Sequence, residues 1–213
     1  MLVTDALRAA CHDVIKGASE IPLPHWNESV FRFFFVRHLL VAAPRVTCFT
    51  EWNRIDVLLR EEKQASLIEL KFYQSQPLFD LSGRQLHKKG GAGSKNFGEF
   101  RANIDKLRFC GSASWLAKHS LESVRAFLAI VYTDPARELG PRTYGAWYDT
   151  LPHIEGIKSV EAIISNAPVG RNELLSCKLI EVALEPNKSF KPIAGTRRAS
   201  SKRSKPAAAQ LRR

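Results

Sequence analysis

The spacing of apolar positions switches between helical and strand periods along the chain, and the switches mark its elements. Over 27–41, Phe31, Phe35 and Leu39 recur at helical spacing, with Asn27 placed to cap the first turn and Pro24 just ahead of it. A strand follows near 46–51, and from residue 54 the period is two. Ile55, Val57 and Leu59 alternate with Arg54, Asp56 and Leu58; further on, Ile68, Leu70 and Phe72 alternate with Leu67, Glu69, Lys71 and Tyr73. The polar run Glu61-Glu62-Lys63-Gln64 suits a four-residue hairpin loop between strands 54–60 and 66–73. With Arg60 paired to Ala65, the register sets Asp56 opposite Glu69 and Arg54 opposite Lys71. Helical spacing returns over 96–109, with Asn96 as the expected cap and Phe97, Phe100, Ile104 and Leu107 on one stripe. Residues 125–132 are nearly all apolar, as a central strand covered on both faces should be, and Asp134-Pro135 ends it. An N-terminal helix is expected with Thr4 as its cap and Leu7, Cys11, Val14 and Ile15 turned inward. Past this strand the pattern predicts a short helix over 143–151, a short element at 160–164 and a strand at 178–184.

Three charges interrupt the otherwise apolar hairpin: Asp56, Glu69 and Lys71. Directly opposed strand residues have Cβ atoms about 4.5–5.5 Å apart, and two carboxylates at that separation repel unless a cation or proton lies between them. Burying such charges without partners is costly, so their position on apolar strands implies a ligand. An ordinary solvated hairpin carrying the same residues is the competing reading of the pattern alone.

Ile-Asp56 followed by Ile-Glu69-Leu-Lys71-Phe resembles the PD-(D/E)XK nuclease superfamily, whose core runs helix, three strands, helix, strand. The predicted elements follow that order over about residues 27–133, and the chain departs from the motif in having Ile55 where the family name has Pro. The resemblance implies an α/β fold with a restriction-endonuclease-like αβββαβ core, a mixed sheet flanked by helices. It implies a Mg²⁺-dependent endonuclease, with Mn²⁺ able to substitute, that hydrolyses phosphodiester bonds of nucleic acid, DNA being the expected substrate. Asp56, Glu69 and the backbone carbonyl of Leu70 would be the metal's oxygen ligands, and Lys71 would position the attacking water or stabilise developing charge. Glu28 has two readings of equal weight: a carboxylate that favours the positive end of its helix, or an acidic residue that reaches the metal. Two other functions stay open, a catalytically silent nucleic-acid-binding or scaffold module of the same fold, and a basic interaction protein whose hairpin match is accidental.

Composition sets these readings in context. With 213 residues and 45% hydrophobic content, one domain over 1–190 is expected. The net charge of +11 is uneven: residues 191–213 carry eight Lys and Arg and no acid, leaving +3 for the rest. That Ser-, Ala- and Pro-rich tail is expected to be disordered, with Arg197, Arg198, Lys202 and Arg203 as phosphate contacts. Between the hairpin and the next helix, Arg84, His87, Lys88, Lys89 and Lys95 are expected to form a mobile basic flap. Its glycines do not make a P-loop, because Gly93 is followed by Ser94 and only then by Lys95. Arg32 and Arg37 are read as solvated, and solvent is also the favoured place for Arg101, Lys106 and Arg108. Cys11, Cys48, Cys110 and Cys177 form no CxxC pair and the six histidines no HxxxH or HxH, against structural zinc, a disulfide framework and histidine-metal chemistry. No signal peptide or membrane span is read, so a cytoplasmic location with no membrane partner is expected, and a homodimer is left open.

Overall fold

The first helical layer forms from the two N-terminal stripes. In the computed structural model, which describes residues 2–74, 76–79, 85–89, 92–136, 143–148, 151, 154–170 and 172–185, α1 (Leu2–Gly17) buries Leu7, Ala10, Cys11 and Val14. It starts at Leu2, so Thr4 lies inside the helix, and the Thr4 hydroxyl donates to Glu161 at 3.2 Å instead of capping. α2 (Glu28–Ala42) does start as its sequence predicts: the Asn27 side chain accepts from the Val30 amide at 3.0 Å, and Phe31, Phe35 and Leu39 are buried.

Six strands form one mixed sheet in the order β1 (Thr47–Trp52), β2 (Ile55–Glu61), β3 (Gln64–Gln74), β6 (Ser123–Pro135), β8 (Glu173–Val182), β7 (Ile157–Val169). Among the described strands only the β3–β6 pair is parallel, and the chain between those strands carries α3 (Ser94–Arg108) and α4 (Ala113–Lys118). α1 and α2 pack on one face of the sheet, while α3 and α5 (Tyr144–Tyr148) pack on the other. β6 is therefore covered on both faces, which accounts for its nearly unbroken apolar sequence. The molecule is an α/β protein with a mixed sheet between helical layers.

Several elements differ from the sequence expectation, each for a physical reason. Of the helix expected at 143–151, the described residues Tyr144–Tyr148 are helical, and Asp134 caps them by accepting from the Tyr144 and Gly145 amides at 2.8 and 2.7 Å. β7 is far longer than the element expected at 160–164, because an edge strand with one wet face carries Lys158, Ser159, Glu161, Ser165 and Asn166 and hides its period. β8 likewise begins at Glu173, five residues before the expected start. α3 begins at Ser94, with the Gly93 carbonyl accepting from the Phe97 amide, so Asn96 sits within the first turn and Phe97 is left 38% exposed. The segment expected to form a mobile basic flap contains an antiparallel ribbon, β4 (Gln76–Phe79) against β5 (Gln85–Lys89).

The strand alternation also breaks at one place. Val57 and Leu59 face α1 and α2 as expected, but Ile55 packs with Leu58 toward α3. Glu51, Asn53 and Arg54 take positive φ of 54°, 49° and 68°, and this turn re-aims the ends of both strands. Such conformations cost non-glycine residues about 1 kcal/mol each.

Candidate functional site

The site lies where β2 and β3 part. Their ladder has the predicted register, with Arg60 against Ala65 and Val57 against Ile68, and it stops there. Asp56 and Glu69 occupy the next position. The strand bond expected beyond it is replaced by a side chain, for the Leu70 amide donates to Asp56 Oδ2 at 2.8 Å. Arg54 does not reach a position opposite Lys71, because it belongs to the tight turn before β2. β3 continues past this point held by β6, as far as Gln74 against Thr133.

The splayed end gathers all four expected side chains. Asp56 and Glu69 are only 7% and 5% exposed. Asp56 Oδ1 accepts from Arg32 Nη1 at 3.1 Å, and Arg32 also bridges to Glu51. Glu69 lies between two ammonium groups, with Lys106 Nζ at 2.6 Å from Oε2 and Lys71 Nζ at 3.5 Å from Oε1. Lys71 donates to the Leu70 carbonyl at 2.7 Å and to Glu28 Oε2 at 3.3 Å. Glu28, at the first turn of α2, therefore points into the site as well as standing at the positive helix end.

Electrostatics in this cluster are dominated by burial. Burial raises the pKa of Glu69, and the Asp56 charge adds to it against the opposing pull of Lys106 and Lys71. Glu28 is raised in the same way, with Lys71 opposing and Asp56 reinforcing the effect of burial. Burial works against the Lys71 ammonium, yet Glu28, Glu69 and Asp56 together outweigh it and raise its pKa. Lys71 is therefore a cation at neutral pH and cannot serve there as a ready proton acceptor.

Glu69 Oε2 is buried, and its near partner is the Lys106 ammonium. That ammonium also donates to the Arg54 carbonyl at 2.9 Å. An ionised carboxylate offers about four lone-pair sites, so Glu69 can accept a further cation beside Lys106 and Lys71. Two carboxylates and a carbonyl are hard oxygen donors of the kind Mg²⁺ takes, so the residues present suit that ion chemically. Among the described residues no three His, Cys, Asp or Glu side chains form a metal-binding group, so the carbonyl and water would have to complete such a site.

The other expected contacts are distributed elsewhere. Lys88 and Lys89 lie on β5, paired with Pro77 and Gln76, His87 pairs with Leu78, and Lys95 is exposed in the first turn of α3. Arg84, Arg197, Arg198, Lys202 and Arg203 lie outside the described residues, as does the whole expected tail at 191–213.

Three residues read as solvated are not. Arg32 holds Asp56, Lys106 holds Glu69, and Arg108 is buried against Asp105, Glu155 and Glu185. For Arg32 a signal was present: it stands four residues after Glu28, on the same helix face, so whatever Glu28 reaches Arg32 also approaches. For Lys106 there was none, since α3 offers several cations beside its apolar stripe.

No family model, no curated protein and no solved structure matches the chain. No helix of the described residues is long and apolar enough to cross a membrane.

Proposed function

We propose that the chain is a Mg²⁺-dependent phosphodiester hydrolase of the PD-(D/E)XK type that cleaves nucleic acid, with DNA as the substrate. The observation that carries this reading is the convergence of Asp56, Glu69 and Lys71 at the parted end of β2 and β3, two buried carboxylates facing each other beside a cation. The order α2, β1, β2, β3, α3, β6, with β3 parallel to β6, supports the restriction-endonuclease-like core. Asp56, Glu69 and the Leu70 carbonyl would hold the ion, with Glu28 at the edge of the same site. A bound Mg²⁺ supplies charge neutralisation at the phosphate and a water of lowered pKa. Arg32 and Lys106 fix the two carboxylates, so little reorganisation is needed as charge develops. Lys71, protonated, stabilises the extra negative charge of the transition state rather than accepting a proton. The basic residues of β5 and of the C-terminal tail supply sequence-independent phosphate attraction.

One observation favours a second reading, a catalytically silent binding module. Arg32, Lys71 and Lys106 already oppose the charges of Asp56, Glu69 and Glu28, and Lys71 occupies the Leu70 carbonyl. Incubating the purified chain with plasmid DNA in Mg²⁺, Mn²⁺ or EDTA separates the two. Metal-dependent cleavage is expected, abolished in Asp56→Ala and in Glu69→Ala with an unchanged circular-dichroism spectrum. Full activity in either variant overturns the proposed site, and binding without cleavage under every metal condition leaves the silent module.

A further inference from the structure

Away from the carboxylates, a second cleft combines aromatic surface with positive charge. Phe49 and Trp52 of β1, Arg60 of β2, and Lys118 and His119 at the end of α4 border a cleft of about 330 Å³, and no carboxylate is among its lining residues. Phe49 is 43% exposed, unusual for a large ring on a strand that faces a cleft. The His119 ring centroid lies 4.8 Å from that of Trp52 and 4.7 Å from that of Trp115. Partial burial, with Lys118 and Arg60 nearby, lowers the His119 pKa, so this ring is neutral at pH 7 and adds stacking surface rather than charge. Arg60 Nε donates to the Glu62 carbonyl at 2.9 Å, which anchors the guanidinium at the rim.

The backbone is bent to build this cleft. Strict alternation would turn Trp52 to the opposite face from Phe49, but Glu51, at φ 54°, brings both rings to one side. A charged residue held at positive φ is uncommon, and such conformations gather at binding sites. Leu58, also lining the cleft, lies two residues from Asp56 along β2, roughly 6–7 Å of strand.

Aromatic rings flanked by cations and free of acids match the chemistry of unpaired nucleic acid, whose bases stack and whose phosphates need positive charge. We propose that this cleft binds single-stranded nucleic acid, stacking an unpaired base on Phe49 and Trp52 with phosphates at Arg60 and Lys118. It thereby presents a separated strand, rather than closed duplex, to Asp56 and Glu69. The binding stands on the cleft alone; the fate of the strand rests on the hydrolase reading above.

The test uses the full chain in EDTA at fixed salt, with a fluorescein-labelled oligothymidylate, a blunt duplex of equal length, and tryptophan fluorescence as a second readout. Oligothymidylate should quench the tryptophans and bind more tightly than the duplex. Phe49→Ala, at an exposed position that does not threaten folding, and the double variant Arg60→Gln with Lys118→Gln should each weaken that binding about tenfold. Unchanged affinity in both variants, or preference for the duplex, overturns the proposal. So does a dimer that Phe49→Ala converts to monomer with oligonucleotide affinity unaltered, for the cleft is then an interface between copies. If Asp56→Ala cleaves normally while Phe49→Ala loses binding, the hydrolase site is wrong and the cleft stands. If Asp56→Ala is inactive while both cleft variants bind normally, the reverse holds.

Discussion

Lys106 and Arg108 stand two residues apart on α3, and each enters a cluster of acids to a different end. Arg108 is a tie between segments: it meets Asp105 of its own helix and Glu155 and Glu185 from the C-terminal part of the chain, and its carbonyl accepts from the Glu185 amide at 2.9 Å. Gly156 is shaped to this clamp, since with φ at 90° an added Cβ would lie 2.7 Å from Arg108 Cδ. The acids around Arg108 outnumber it, but the Glu155 side chain is 74% exposed and sheds its excess charge into water. Lys106 instead meets Glu69, buried on β3 and repelled by Asp56, an arrangement that burial has made unfavourable. An acid cluster open to water holds segments together. One whose carboxylates face each other inside the sheet weakens the fold unless a ligand or a reaction makes use of it.

The contrast can be broken from either side. The largest effect is expected at the site itself: Lys71→Met should lower metal-dependent cleavage by about 10²–10³-fold, as removal of a group aimed at developing charge does, while substrate affinity in EDTA holds. Normal turnover, or a loss explained wholly by weaker binding, would remove the catalytic role of Lys71. At the clamp, Arg108→Met should cost roughly 1–3 kcal/mol in denaturant unfolding, less than a fully enclosed pair because Glu155 can turn to water. Cleavage per folded molecule should be unchanged. Gly156→Ala should act on the same clamp more weakly, by about 1–2 kcal/mol, through its strained φ and its contact with Arg108. An undiminished Tm in both would mean that the Arg108 cluster ties nothing.

The smallest effect has the opposite sign. Because Glu69 holds its proton more tightly in the folded chain than when unfolded, folding stability falls as pH rises above the ordinary carboxyl value of 4.5. Glu69→Gln removes that loss, so the variant should melt a few degrees higher than the parent at pH 7 in EDTA. The gap should close as the pH is lowered through 4.5, where the parent carboxyl is protonated in both states. A variant less stable than the parent at pH 7 would show that Lys106 and Lys71 more than repay the burial of Glu69, and the two clusters would then be alike.

Much of the hairpin was legible because strand periodicity is local. The alternation in 66–73 and a loop too short for other pairings dictate the register that brings Asp56 to the level of Glu69. The Asn27 cap and the Phe31, Phe35, Leu39 stripe were likewise written in adjacent residues. The edge strand β7 was not, since a strand wet on one face and bulged along its length loses its period. Nor was the reversal of Ile55, which depends on left-handed excursions at Glu51, Asn53 and Arg54 that no residue type there requires.

Local periodicity was enough to say which residues could meet along a single hairpin and helix face, for those relations follow from periods of two and 3.6 residues. Which cations complete the site follows from long-range packing. Arg32 and Lys106 come from helices on opposite faces of the sheet, and nothing local separates Lys106, which holds Glu69, from Arg108, which clamps the chain. Their roles are set by which face of the sheet each helix covers, a consequence of long-range packing to which the spacing of charges along the chain is indifferent.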